Sequence, residues 1–305
     1  MDIHDTTIIH VGFHKSASTY LQNIFLNIDI KYIYLDRDLL DCIEHDDFNQ
    51  RNFFRGLEKY SFPGKDNIHT TILSNEALSG HPHGYDSIDP YRTAHRLKQS
   101  FPEASILIIV RNQIDYMLSL YAFRVAVKGE EYRSISRFLK EDGEKGLFLK
   151  LEYDRLVQHY MQLFGHDRVL VLPMEMLKMD PLLFHSRLGK LIQYDIGSFS
   201  GGSGKVNAST KLEALIALWR STNFFFSWLW RPCRLILPGN REMRLRYRYY
   251  FFKQRCSATL SPYFKNGRQL SVPDWVVEQC RERYSASNER LGVLTGINLN
   301  NYGYL

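Results

Sequence analysis

The residues best suited to chemistry lie near the start of the chain, in Ile8-Ile-His-Val-Gly-Phe-His-Lys-Ser-Ala-Ser-Thr-Tyr-Leu21. A β-branched run ends at Gly12, a polar loop holds Lys15, and Leu21, Ile24, Phe25 and Ile28 then recur at helical spacing. The loop therefore joins a buried strand to a helix N-terminus, where backbone N–H groups and the positive end of the helix dipole meet an anion. Lys15, Ser16, Ser18 and Thr19 add one cation and three hydroxyls. Such a loop grips a phosphate- or sulfate-bearing nucleotide; the plainer reading is serines that only cap a helix. The pattern Gly-x-x-x-x-Gly-Lys-Ser/Thr is not met, since a second Gly is missing and Lys15 follows Gly12 by three residues. An ordinary Walker-type NTPase is therefore disfavoured.

A second segment is Ser105-Ile-Leu-Ile-Ile-Val-Arg-Asn-Gln-Ile-Asp-Tyr-Met-Leu-Ser-Leu-Tyr121. Ile106 to Val110 reads as a central parallel strand covered on both faces. Arg111 stands at its carboxyl end, where open α/β sheets bind ligands. Ser119 falls about two helical turns later, close enough in register to join Arg111 on a second phosphate. A surface Arg followed by Asp115 as a helix-start acid is the competing reading.

The elements that must position these groups alternate. Strand-like runs fall at 6–12, 31–35, 68–74, 105–110 and 168–173, with helical patterns at 16–28, 90–100, 113–127 and 151–164. That order implies one α/β core of parallel strands joined by right-handed crossovers. The charge of +6 suits anionic nucleotides or acidic acceptors but falls short of the dense basic face of a nucleic-acid binder, so no nucleic-acid partner is expected. Cys42, Cys233, Cys256 and Cys280 lie too far apart in sequence for a metal-ligand pair, and their sparseness suits a reducing compartment. The start Met1-Asp-Ile-His-Asp is acidic where a signal peptide is basic, and no run reaches the length of a membrane span. A cytoplasmic protein is expected.

Together the two segments resemble the sulfotransferases that use 3′-phosphoadenosine 5′-phosphosulfate (PAPS). Gly12 to Leu21 looks like that family's 5′-phosphosulfate loop, usually Lys-Ser-Gly-Thr-Thr and then an aromatic residue, with Ala17 where Gly is usual. Arg111 to Tyr121 looks like its 3′-phosphate element, Arg-Asn-Pro-x-Asp with a later Ser-x-Tyr, with Gln113 where Pro is usual. Leu151-Glu-Tyr-Asp through Leu177 matches a later helix and strand, and the resemblance spans roughly residues 6–210.

The resemblance implies a P-loop-NTPase-like three-layer fold, with a central parallel sheet flanked by helices. It implies PAPS as co-substrate without a metal, held by His14, Lys15, Ser16, Ala17, Ser18, Thr19 and Tyr20 at the phosphosulfate and by Arg111 and Ser119 at the 3′-phosphate. Lys205, Asn207 and Ser209, in a basic residue–Val-Asn-x-Ser element, add further contacts. Lys15 would also act catalytically, offsetting charge on the departing phosphate oxygen. A hydroxyl acceptor needs a general base. Glu76, at the carboxyl end of the strand Thr70–Ser74, is preferred over His81 on the following loop, because strand ends hold side chains more rigidly.

The expected division is a PAPS-binding core at 1–210 and a helical part at 211–305 that contributes to the acceptor site, with Gly197–Gly204 as linker or lid. Asn223–Pro238 is rich in aromatics, and residues 241–255 mix Arg and Lys with Tyr and Phe. The region 224–255 therefore reads as an acceptor groove, a peripheral membrane contact or a buried helix pair, with Pro232 and Pro238 breaking the first run. The acceptor would be a hydroxyl of a carbohydrate, a lipid-linked compound or a small molecule. The competing functions are a nucleotide kinase with a degenerate P-loop and a non-catalytic nucleotide-binding protein at a membrane surface.

Overall fold

The computed structural model of the chain describes residues 6–60, 69–80, 89–128, 134–144, 146–196, 213–233, 249, 252–253, 255–256, 259 and 268–305. Strands β1 (Thr6–Gly12), β2 (Lys31–Tyr34), β3 (Thr70–Asn75), β4 (Ser105–Val110) and β5 (Val169–Pro173) form a parallel sheet in the order β2-β3-β1-β4-β5. The described α-helices are α1 (Ser18–Asn27), α2 (Arg37–Glu44), α3 (Gln50–Leu57), α4 (Pro90–Ser100), α5 (Gln113–Phe123), α6 (Ile135–Glu144), α7 (Leu147–Lys150), α8 (Tyr153–Phe164), α9 (Met174–Met179), α10 (Pro181–Ile192), α11 (Glu213–Cys233) and α12 (Asp274–Thr295).

β1 is central. It pairs with β3 from Thr6–Thr70 to Val11–Asn75, and with β4 from Ile8–Ser105 to Gly12–Ile109. Ile106, Leu107, Ile108, Ile109 and Val110 are all fully buried, which is why this strand shows a continuous apolar run rather than alternation. The chain leaves β1 for the edge strand β2, returns to β3, then crosses to β4 on the other side of β1. The carboxyl ends of β3, β1 and β4 therefore stand side by side at the reversal point, the place where α/β sheets bind ligands.

Helix starts are built in two ways. Asp89 caps α4 by accepting from the N–H groups of Tyr91 and Arg92, and Asp180 caps α10 by accepting from Leu183 N–H. Pro90 and Pro181 fill the first helical position of each. α1 differs, since it begins from Ala17 in the left-handed region with no side-chain cap.

The chain gathers into two compact units, Met1–Gln113 with Glu144–Val206 and Cys280–Leu305, and Ile114–Gly143 with Asn207–Gln279. The second unit begins its later segment close to residue 210, while residues 280–305 group with the sheet. Within the second unit, Asn223 on α11 donates to Val125 O at 2.8 Å, and the ammonium of Lys253 donates to Asn223 Oδ1 at 3.0 Å. Lys253 is buried, and Arg124 pairs with buried Asp142.

Two expectations about 224–255 meet these facts. Pro232 sits in the last turn of α11, which ends one residue later at Cys233. A proline in a last turn removes one hydrogen bond and leaves the earlier ladder intact. Tyr249 and Lys253 face the unit's own polar groups, since the Tyr249 hydroxyl also donates to Asn223 Oδ1, at 3.2 Å. Lys253 is buried there, while Tyr249 is half-buried. Among the described residues no helix is long and apolar enough to cross a membrane.

Candidate active site

Lys15, Glu76 and Arg111 follow β1, β3 and β4, so the three neighbouring strand ends deliver one charged residue each. Arg111 is buried and donates from Nη1 to the carbonyl of Lys15 at 2.6 Å. Its Nε is buried without a partner. The Tyr153 hydroxyl donates to Arg111 O at 2.8 Å and pins the backbone behind it.

The loop itself is strained. Lys15 has φ 64° and Ala17 φ 60°, both in the left-handed region that costs L side chains about 1 kcal/mol or more. At Ala17 the sequence departs from the Gly this conformation favours. The winding leaves the start of α1 uncapped, with the hydroxyls of Ser16 and Ser18 buried and lacking any hydrogen-bond partner. Unpaired buried hydroxyls are uncommon and costly, at about 1–3 kcal/mol each. An anion bound at this helix start would satisfy them. Burial lowers the pKa of Lys15, the Glu76 carboxylate opposes that shift, and Arg111 adds to it. An anion placed beside Lys15 would oppose that lowering.

Glu76 opens a 3-10 turn, Glu76–Ser79, but does not cap it. Asn75 does so, accepting from Ala77 N–H at 2.6 Å while its amide donates to Leu35 O at 2.6 Å. The Glu76 carboxylate instead stands 3.9 Å from His14 Nε2. Ser79 Oγ donates to Gly12 O at 2.8 Å, tying the turn to the end of β1. Gly12 permits that approach, because a Cβ there would lie 3.4 Å from Glu76 Cα and 3.2 Å from the His10 ring.

Of the other expected residues, Thr19 and Tyr20 lie in the first turn of α1, where Tyr20 Oη shares a 2.6 Å hydrogen bond with His185 Nε2. Ser119 is buried on α5, in the second unit. His81, Lys205, Asn207, Ser209 and the Gly197–Gly204 stretch lie outside the described residues.

A profile of the Sulfotransferase domain matches residues 5–195. The chain belongs to the sulfotransferase family. Its parallel sheet with flanking helices is the P-loop-NTPase-like fold of that family. Solved structures similar to this sulfotransferase include one from Alicyclobacillus acidocaldarius, 17% identical over 62% of this chain and 81% of the other, with a TM-score of 0.47. A mouse sulfotransferase complexed with PAP is 16% identical over 62% and 59% of the two chains, with a TM-score of 0.40. A sulfotransferase domain from the curacin biosynthetic pathway is 12% identical over 62% and 74%, with a TM-score of 0.38. No curated protein matches the sequence.

Sequence reasoning missed Lys150, at the end of α7. Its ammonium donates to Gly80 O, just beyond the Glu76 turn, and lies 5.8 Å from the centre of the Phe13 ring. Burial pulls its pKa down to about 7 from the usual 10.5. Between those two values the unfolded chain holds more protons than the folded one, so stability rises with pH across that window. Below it both states are protonated and the full cost of a buried ammonium remains. Lys150→Met is therefore expected to raise the melting temperature at pH 6 and to flatten its rise between about pH 7 and pH 10, a window set by the two pKa values. Thermal melts across that range check it, and an unchanged slope refutes the burial of the charge.

Proposed function

We propose that this sulfotransferase uses PAPS as sulfuryl donor and acts on a hydroxyl of a carbohydrate, lipid-linked or small-molecule acceptor in the cytoplasm. The observation that carries the reading is the pair of buried, unpartnered serine hydroxyls, Ser16 and Ser18, at the uncapped start of α1. They adjoin Lys15, whose carbonyl is held by the buried guanidinium of Arg111. Two cations and several donors at adjoining strand ends suit a ligand with two separate anionic groups. That supports a nucleotide carrying both a 5′-phosphosulfate and a 3′-phosphate.

PAPS, when bound, supplies a sulfuryl group joined to a phosphate that leaves readily. The chain's part is to orient and to offset charge, as in phosphoryl transfer. Lys15 presents its ammonium to the leaving oxygen, and the backbone of His14 to Tyr20 with Ser16, Ser18 and Thr19 donates around the 5′ end. Arg111 and Ser119 take the 3′-phosphate, and Lys205, Asn207 and Ser209 are assigned further contacts to the nucleotide. Glu76 accepts the proton of the acceptor hydroxyl. The region 224–255 is the candidate acceptor groove or peripheral membrane contact. A kinase lacks support, since the family is one of sulfuryl transfer and the Gly-Lys-Ser/Thr pattern is missing.

The test is calorimetric titration of PAP, the 3′,5′-bisphosphate product, and of adenosine 5′-phosphate, each with EDTA present. PAP is expected to bind much more tightly. Arg111→Ala should weaken PAP by about 1.5–3 kcal/mol, the worth of a charged hydrogen bond to phosphate. Because Arg111 also holds Lys15 O, adenosine 5′-phosphate should weaken too, by less. Equal losses would make Arg111 purely structural. A mass-detected screen for PAPS-dependent sulfation would then identify the acceptor.

A further inference from the structure

The turn between β4 and α5 carries Arg111, and residues far outside the matched family region hold it. Asn112 N–H donates to Glu175 Oε1 at 3.2 Å, at the start of α9. The Tyr304 hydroxyl donates to Glu175 Oε2 at 3.1 Å, and the Asn112 amide donates to Gly303 O at 2.5 Å. Gln113 Nε2 donates to Asn288 Oδ1 at 2.7 Å, and Asn288 Nδ2 donates to Leu305 O at 2.7 Å. Gln113, Asn288 and Tyr304 are each no more than 5% exposed.

We propose that Asn288 and residues 303–305 form a clasp that positions the Arg111 turn for the 3′-phosphate, with Glu175, Tyr304 and Gln113 as positioning residues. The proposal rests on the PAPS reading of that turn. It explains Gln113, where the family usually has Pro: a proline could make neither side-chain amide bond to Asn288. Burial raises the pKa of Glu175, and its Asn112 and Tyr304 donors together with Arg111 oppose the shift. The carboxylate thus links Tyr304 to the turn with one oxygen for each.

The test uses the full chain with Tyr304→Phe and, separately, Asn288→Ala. Each variant is titrated with PAP and adenosine 5′-phosphate, and the amide hydrogen exchange of residues 111–113 is followed without nucleotide. Losing one such hydrogen bond should weaken PAP about 3- to 10-fold, leave adenosine 5′-phosphate within about 2-fold, and speed exchange at Asn112. Equal weakening of both nucleotides, or no weakening of PAP, overturns the clasp. So does unchanged exchange at Asn112 in Tyr304→Phe, which retains the ring and its packing. If the wild-type chain does not prefer PAP, the PAPS reading fails instead, and the exchange result still decides whether the clasp holds the turn.

Discussion

Lys15→Ala is expected to lower turnover by about 10²–10³-fold, the usual cost of removing one well-placed electrostatic donor from a developing oxyanion. PAP affinity should fall far less, because the backbone of α1 and the hydroxyls of Ser16 and Ser18 remain in place. The choice of Ala matters. Lys15 sits at φ 64°, so Gly would relieve backbone strain while deleting the amine, and the two effects would mix. Ala keeps the Cβ and its strain, so the change reports the ammonium alone. The measurement is kcat alongside the PAP dissociation constant, with an acceptor found by the sulfation screen. Unchanged turnover would remove Lys15 from the reaction. Weakened PAP binding with unchanged kcat would make it a ligand that favours ground and transition states alike.

How much of this site the sequence disclosed depends on how local each contact is. β4 was readable because a parallel strand buried on both faces shows as a continuous apolar run, and β1 because its β-branched residues run up to Gly12. Lys15, Glu76 and Arg111 were readable because each directly follows such a run. The sheet order then brings the three strand ends together, which the spacing alone does not specify. Glu76 is the first-turn acid of the 3-10 turn that Asn75 caps, a placement that its position after β3 already announced. Lys150 and Tyr304 left no local trace: their partners Gly80 and Glu175 are 70 and 129 residues away. Glu175 did carry a signal, since it follows β5 closely, as Glu76 follows β3. Pro232, expected to break the aromatic run, stands one residue before the end of α11.

Glu76→Gln is expected to abolish most transfer, by about 10²–10⁴-fold, the usual contribution of a positioned general base. PAP binding should change by only a few-fold. The amide keeps the shape of the carboxylate, and Asn75 and Ser79 hold the turn without help from the Glu76 side chain. A second effect follows from the charge. The Glu76 carboxylate raises the pKa of Lys15 against the pull of burial and of Arg111. Without it the ammonium loses its proton at a lower pH, so the residual activity of Glu76→Gln should fall away earlier on the alkaline side than that of the wild type. That shift follows from the Glu76 charge alone, so the loss of turnover, not the alkaline limb, identifies the base. His81→Ala, run in parallel, decides between the two candidate bases. It should retain near-normal transfer if Glu76 is the base; an active Glu76→Gln beside an inactive His81→Ala would assign the proton to histidine.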